Sequence, residues 1–186
     1  MRGQGDILVF LLLSLIGLVL VFSAMSWGQG VFAGSSDATK FENARAFMGR
    51  LDTAIVSASR FGGEESVAMG LEGTLKLVQN TSDPLDVSLV FSMPSNLELP
   101  ADWAPVNTAN ASKAGCIADT TSVLMQRKNG AEVELKLFYR TRDGYAILPY
   151  TDGSRVMSTG IVTVAGGGSE KLGGITVSKV KLGLGG

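Results

Sequence analysis

Carboxylate pairs are the side chains of this chain that come nearest to an acid–base or metal site. Glu64 and Glu65 are adjacent, and Asp83 lies three residues before Asp86. General acid–base catalysis needs a second polar group beside the carboxylate, and hard cations need several oxygen ligands. Neither pair has a clear third partner in the sequence. We therefore predict that both pairs are solvated turn residues.

Histidine is absent from the chain, and cysteine occurs once, at Cys116. The lack of histidine removes the commonest general base and the commonest metal ligand, and a single cysteine allows no intrachain disulfide. We interpret Cys116 as a buried small hydrophobe, with an intermolecular crosslink or a reactive thiol as the alternatives. We predict no catalytic site, no metal and no cofactor, and hence a protein that is not an enzyme.

Three short motifs and the charge balance indicate neither a phosphate-binding loop nor a nucleic-acid partner. Gly166-Gly167-Gly168 follows an apparent strand and opens no clear helix, so it predicts a turn rather than a phosphate-binding loop. Asn80-Thr81-Ser82 and Asn110-Ala111-Ser112 fit the glycosylation pattern, which makes Asn80 and Asn110 candidate N-glycosylation sites in predicted loops. The 16 basic and 17 acidic residues are nearly balanced and form no basic run, so no nucleic-acid partner is indicated.

The most apolar segment is Ile7–Met25, in which fourteen of nineteen residues are Leu, Ile, Val or Phe. A helix of this length rises about 28 Å at ~1.5 Å per residue, close to the hydrocarbon thickness of a bilayer. We predict a hydrophobic transmembrane helix over residues 7–27. Three interpretations remain open: a secretory signal peptide cleaved after Val31-Phe32-Ala33, a simple membrane anchor, and a helix that leaves the membrane to pack with its own copies.

A second helix is predicted at residues 37–60, after a glycine-rich break at 28–36. Each glycine costs about 1 kcal/mol relative to alanine in a helix, so three of them weaken any helix there. The second helix carries an apolar stripe whose members recur at spacings of three and four, which favours packing on a sheet or on another helix. The members of the apolar stripe are Phe41, Ala44, Met48, Leu51, Ile55 and Ala58. Arg45, Arg50 and Asp52 lie off the stripe.

After Phe61-Gly62-Gly63 the pattern changes to alternation of apolar and polar residues, which is typical of strands. The alternation is clearest at Glu132–Leu137, and Asn129-Gly130 joins that strand to Thr121–Gln126 as a predicted hairpin. Further turns are predicted at Asp143-Gly144 and Asp152-Gly153, late strands at Ile161–Val164 and Ile175–Val180, and a long surface loop at Met93–Ala114. The expected fold is α+β, in which two helices precede an antiparallel β-sandwich or meander head at 62–186.

The junction between the first residues and the apolar helix is the most specific motif. Arg2-Gly3-Gln4-Gly5-Asp6 runs directly into Ile7–Leu11. This arrangement resembles the leader junction of archaeal type IV pilin-like proteins, which carry a class III signal peptide. Phe47–Ile55 followed by Val67–Leu77 is similar to the helix-to-hairpin passage of the same family. The resemblance covers roughly residues 2–78, and beyond it only the β-rich character agrees.

The resemblance implies a short leader at residues 1–3, which a prepilin peptidase removes between Gly3 and Gln4. The helical region 4–61 then stays on the mature subunit, and its apolar helix packs in the core of a filament. The helix residues implicated in assembly are Asp6, Leu8, Phe10, Leu13, Leu15, Leu18, Leu20 and Phe22.

Function follows from the same resemblance, which implies a structural subunit of an extracellular type IV pilus-like filament with the head as its adhesive surface. The implied partners are identical subunits, the membrane before assembly, the prepilin peptidase and the pilus assembly machinery. Asp6 stands where the family often has Ser, and Leu8 stands where it often has a Glu that neutralises a neighbour's N-terminal amine. The alternative is a monomeric, membrane-anchored extracytoplasmic β-domain that acts as a binding module or accessory component of an envelope machine.

Overall fold

The computed structural model describes residues 3–81, 83, 85–106 and 122–185, with the side chains of 3–8, 26–35 and 185 left aside. Contacts divide the chain into two compact units, Met1–Thr39 and Lys40–Gly186. The fold is α+β, since helix α1 (Gly3–Phe61) precedes ten described strands. The strands are β1 (Glu64–Met69), β2 (Thr74–Gln79), β3 (Val87–Pro94), β4 (Ala104–Pro105), β5 (Ser122–Asn129), β6 (Glu132–Tyr139), β7 (Tyr145–Tyr150), β8 (Val156–Met157), β9 (Gly160–Leu172) and β10 (Ile175–Gly185).

The backbone of residues 28–36 is helical, in contrast to the predicted glycine-rich break. Glycine lowers helix stability without forbidding helical backbone angles, and no proline occurs between residues 1 and 61. A break would leave up to four C=O groups without partners at the new C-terminal end and up to four N–H groups at the new N-terminal end, and the second helix would have to be nucleated again. The cost of these glycines is therefore smaller than the cost of interrupting the helix.

The end of α1 is fixed by two glycines, as the sequence predicts. Gly62 and Gly63 have φ values of 69° and 88°, a region that residues with a Cβ atom avoid. The N–H of Gly62 donates to the carbonyl of Ala58 at 3.1 Å, so one carbonyl of the last turn keeps a partner. The chain then enters β1 directly.

The strands form two sheets that are mostly antiparallel. The order is β1-β9-β10-β7 in the four-stranded sheet and β4-β5-β6-β3-β2-β8 in the six-stranded sheet. The exception is the pair β10 and β7, which runs parallel from Thr176 opposite Tyr145 to Lys181 opposite Tyr150. The antiparallel prediction is therefore confirmed for most of the head, and the parallel pair is a feature that a simple meander lacks.

Tight two-residue loops occur at three turns of the head. The loop between β5 and β6 is Gly130-Ala131, so the predicted hairpin is confirmed while its turn lies one residue later than predicted. Asp143-Gly144 forms the predicted turn with positive φ at both residues, as a type I′ turn requires. Gly173-Gly174 joins β9 to β10 in the same way, with φ values of 57° and 86°.

The glycine run 166–168 lies inside strand β9, so the predicted turn at these residues is wrong. Close approach of other parts of the head explains the glycines. A Cβ atom on Gly166 would lie 2.9 Å from the Cα of Gly62, and one on Gly167 would lie 3.0 Å from the ring of Tyr150. A side chain at Gly166 would collide with backbone, and one at Gly167 would require the Tyr150 ring to move, so the strand passes there most closely as glycine.

The apolar stripe of α1 packs on the head, as the sequence predicts. Five of its six members are buried in one hydrophobic cluster with residues of both sheets, and Phe41 packs against that cluster half-buried. The buried surface is wider than the predicted stripe, since Phe47 and Ala54 also lie inside it. The rings of Phe47 and Phe91 have centroids 5.8 Å apart and planes tilted by 59°, a favourable geometry for an aromatic pair. One face of α1 between residues 44 and 58 is thus part of the head's core.

Candidate functional sites

The first candidate site is the apolar surface of α1 between residues 9 and 25. Every described side chain in this range is exposed, and the large apolar ones have exposed fractions between 47% and 71%. The large apolar side chains are Val9, Phe10, Leu11, Leu12, Leu13, Leu15, Ile16, Leu18, Val19, Leu20, Val21, Phe22 and Met25. A helix that is apolar on all faces has no side suited to water, so this surface calls for an apolar partner.

The predicted assembly residues fall on this surface where their side chains are described. The described members are Phe10, Leu13, Leu15, Leu18, Leu20 and Phe22, and all of them are exposed. Asp6 and Leu8 belong to α1 by their backbone, while their side chains lie outside the described part. The predicted cleavage bond between Gly3 and Gln4 lies at the first residues of the helix.

In the part of the chain that the structure describes, no helix combines the length and apolarity needed to cross a bilayer, which differs from the expectation for residues 7–27.

The second candidate site is a buried carboxylate at the contact between α1 and the six-stranded sheet. Asp52 is only 2% exposed, although the sequence places it off the apolar stripe. Its Oδ2 accepts a hydrogen bond from Ser122 Oγ at 3.1 Å, and its Oδ1 accepts one from Tyr139 Oη at 3.0 Å. Ser122 and Tyr139 face each other directly across β5 and β6. One cross-strand pair therefore supplies both hydroxyl donors, and we call the three residues the Asp52 cluster.

Burial controls the ionisation of the Asp52 cluster. It raises the pKa of Asp52 from 3.8 to about 6, although the two hydroxyl hydrogen bonds act in the opposite direction. Burial and the neighbouring Asp52 carboxylate raise the pKa of Tyr139 well above its ordinary value. In the described contacts the carboxylate is bonded to two hydroxyl groups and not to a cation, so the cluster can hold and release a proton.

The third candidate site is a groove of about 280 Å³ on the outward face of the six-stranded sheet, which we call the sheet groove. Register places its side chains in rows, because residues directly opposite each other point to the same face. One row consists of Arg127, Glu134 and Ser92 on β5, β6 and β3. The next row consists of Lys136, Val90 and Lys76 on β6, β3 and β2. Val78, Ser88 and Trp103 complete the lining.

The charged side chains of the sheet groove lie around the nearly buried carboxylate of Glu134. Glu134 is 8% exposed and accepts hydrogen bonds from Arg127 Nε at 2.6 Å and from Asn129 Nδ2 at 2.9 Å. Burial tends to raise the pKa of Glu134, but the hydrogen bonds and the positive charges beside it prevail and lower it. The Arg127 guanidinium lies 4.3 Å from the centroid of the Trp103 ring, and Lys136 Nζ lies 5.9 Å from the same centroid. Cation–π attraction thus holds the indole beside the groove.

Of the two candidate glycosylation sites, only Asn80 lies within the described residues. Asn80 is exposed in the loop after β2, as predicted, and its Nδ2 donates to Asp86 Oδ2 at 3.0 Å. Asn110 and Cys116 lie outside the described residues. The predicted loop Met93–Ala114 can be compared only up to residue 106. Met93 and Pro94 belong to β3, and residues 95–106 are irregular except for the two residues of β4.

The carboxylate pairs are exposed and far from a metal-like geometry. Glu64 and Glu65 begin β1 rather than lying in a turn. Asp83 Oδ1 accepts from the N–H of Leu85 at 2.9 Å, so this carboxylate shapes the turn before β3. Within the described residues, no group of three or more acidic or cysteine side chains could hold a metal ion.

Comparison with protein-family models, with curated proteins and with solved structures finds no match for this chain.

Proposed function

We propose that this chain is the structural subunit of an extracellular filament, assembled through the N-terminal part of α1. One observation carries the proposal: thirteen large apolar side chains between residues 9 and 25 are exposed. The head does not need them for its own core, because the buried hydrophobic cluster consists of residues between 44 and 184. A surface of this kind serves association rather than the folding of the head.

The energetics favour association by burial of this surface. Fully burying one large apolar side chain contributes about 1.5–3 kcal/mol, so burying half of the thirteen contributes roughly 10–20 kcal/mol. The loss of translational and rotational freedom on association costs about 4–15 kcal/mol. Contacts around the whole circumference of a helix also allow several neighbours at once. Repeated contacts of this kind that do not close on themselves generate a helical polymer.

The route to the filament is part of the proposal and rests on the resemblance at residues 2–11. The precursor is held at a membrane, a prepilin peptidase cuts between Gly3 and Gln4, and the assembly machinery adds the mature subunit to the growing fibre. The head forms the outer surface of the fibre at the cell surface and makes contacts there. The work of the protein is assembly and adhesion, without catalysis.

Substitution of one apolar residue on the helix tests the proposal. Leu15→Asp places an unpaired carboxylate among packed apolar helices, at a cost of several kcal/mol per subunit. We expect negative-stain images of surface material to show fibres for the unaltered protein, identified by mass spectrometry, and none for this variant. Leu172→Asp is the matched control, because Leu172 is also an exposed leucine but lies at the end of β9 on the head.

The outcomes separate filament formation from simple anchoring. Fibres that persist in Leu15→Asp would refute assembly through this helix. A protein that never forms fibres and leaves the membrane only with detergent would instead be the anchored monomeric β-domain.

A further inference from the structure

We propose that the sheet groove binds an acidic sugar, a hexuronate unit of an acidic polysaccharide. The inference is independent of the proposed filament, because all lining residues of the groove belong to the compact unit Lys40–Gly186. It rests on three properties of the groove: an excess of positive charge, an aromatic wall, and a floor that mixes hydroxyl and aliphatic groups.

The positive charge has a defined position. The charge of Arg127 is paired with Glu134, which leaves the ammonium groups of Lys76 and Lys136 as the excess. Both lysines are register partners of Val90, one on each neighbouring strand. Strands lie about 4.8 Å apart, so the two lysine backbones are roughly 10 Å apart and their flexible stems can converge above Val90. A single carboxylate placed there receives charge-assisted hydrogen bonds from both sides.

The aromatic wall suits a sugar ring. Trp103 is half-buried, and the guanidinium of Arg127 at 4.3 Å holds the indole in place before a ligand arrives. An indole offers a large rigid apolar surface at low entropic cost, and the C–H face of a pyranose is an apolar surface of matching size. The aliphatic side chains of Val78 and Val90 extend this apolar surface across the floor.

The hydroxyl groups of a sugar also find partners in the groove. Ser88 and Ser92 contribute hydroxyls to its floor, and Glu134 contributes a carboxylate that is held in place by two hydrogen bonds. A few fixed polar groups on an otherwise apolar concave surface are the usual composition of a small-ligand site. The volume of about 280 Å³ is suited to one sugar unit rather than to a long chain.

The position of the groove argues against an acidic peptide as the ligand. Peptides that bind sheets commonly add a strand to a free edge and gain affinity from main-chain hydrogen bonds. The groove lies over β2, β3, β6 and β5, each of which has neighbours on both sides in the sheet. The two central strands, β3 and β6, are paired with a strand on each side along most of their length, so recognition there depends on side chains.

Titration of the full chain in mild detergent with trigalacturonate tests the proposal by calorimetry. We expect binding in about the millimolar range or tighter, weakened several-fold by high salt, and no comparable binding of neutral galactotriose. Lys76→Gln and Lys136→Gln should each weaken binding about fivefold or more, because each removes a charge-assisted hydrogen bond. Trp103→Ala should weaken it about tenfold, and Trp103→Phe should weaken it less.

Lys171→Gln is the matched control, because Lys171 is an exposed lysine on β9 of the other sheet. Circular dichroism identifies any variant that fails to fold. If Trp103→Ala fails to fold, the two lysine variants still test the proposal. Absence of trigalacturonate binding would overturn the proposal, as would equal binding of the neutral sugar or equal weakening by Lys171→Gln. A tri-aspartate peptide that binds more tightly in the same groove would assign it to a peptide carboxylate and would also overturn the proposal.

Discussion

Replacing Asp52 with asparagine should make the head more stable at neutral pH and less dependent on pH. The carboxylate is buried, and its pKa in the folded protein is about 6 against 3.8 for the free side chain. Folding therefore favours the protonated form. The contribution of Asp52 to stability is most favourable below pH 3.8, declines as the pH rises, and is lowest above pH 6.

The magnitude follows from the same two pKa values. The difference between 3.8 and about 6, at ~1.4 kcal/mol per tenfold change in proton affinity, corresponds to about 3 kcal/mol. Asparagine has nearly the same shape and can exchange hydrogen bonds with Ser122 and Tyr139, but it carries no charge at any pH. As the pH rises from 4 to 7.5, the free energy of unfolding of Asp52→Asn should therefore increase by up to about 3 kcal/mol relative to that of the unaltered head.

Urea unfolding of a fragment containing residues 36–186 measures this difference, with the free energy of unfolding determined from pH 4 to pH 8. Asp102→Asn, at an exposed carboxylate, controls for the loss of one negative charge. Tyr139→Phe should lower the free energy of unfolding at pH 7.5, because it removes a hydrogen bond to the ionised Asp52 carboxylate. If Asp52→Asn instead lowers stability at pH 7.5 and keeps the slope of the unaltered head, the two hydroxyl bonds outweigh burial and our reasoning is wrong.

Two further predictions concern the N-terminal part of the chain. Intact-mass measurement of the mature protein should show loss of residues 1–3 by cleavage between Gly3 and Gln4; a chain beginning at Gly34 would identify a secretory signal, and one retaining Met1 would contradict processing. Removal of residues 1–35 should leave a folded, monomeric head with β-rich circular dichroism, because its core is complete without them; polymerisation of this fragment in size-exclusion chromatography would show that heads drive assembly.

The helical stripe was predictable because one face of a regular helix contacts one core. The spacing of Phe41 to Ala58 identified the face correctly, since a period near 3.6 requires no knowledge of the partner. The break at 28–36 was expected from propensity alone. Local propensity is a weak guide where interruption of a long helix carries its own cost.

The sheet groove could not be predicted from the sequence, because a shift of one residue in a hairpin loop changes which residues face each other across the strands. A loop at Asn129-Gly130 would place Arg127 opposite Glu132, whereas the observed loop one residue later places it opposite Glu134. The Asp52 cluster is still harder to predict, since the hydrogen-bond partners of Asp52 lie 70 and 87 residues away in the sequence. Pairings of this kind leave no local pattern, and the same holds for the parallel pair β10 and β7.

The position of β10 in its sheet has a consequence for the order in which the head can form. β10 comes after every other described strand in the chain, yet it lies between β9 and β7 and holds them together. While the ribosome delivers the chain from its N-terminus, β7 has no neighbour in this sheet until Ile175–Gly185 appears. Such long-range pairing is slow, and strands without a neighbour stay open to chaperones. The topology therefore delays closure of the four-stranded sheet until Ile175–Gly185 can pair with both β9 and β7.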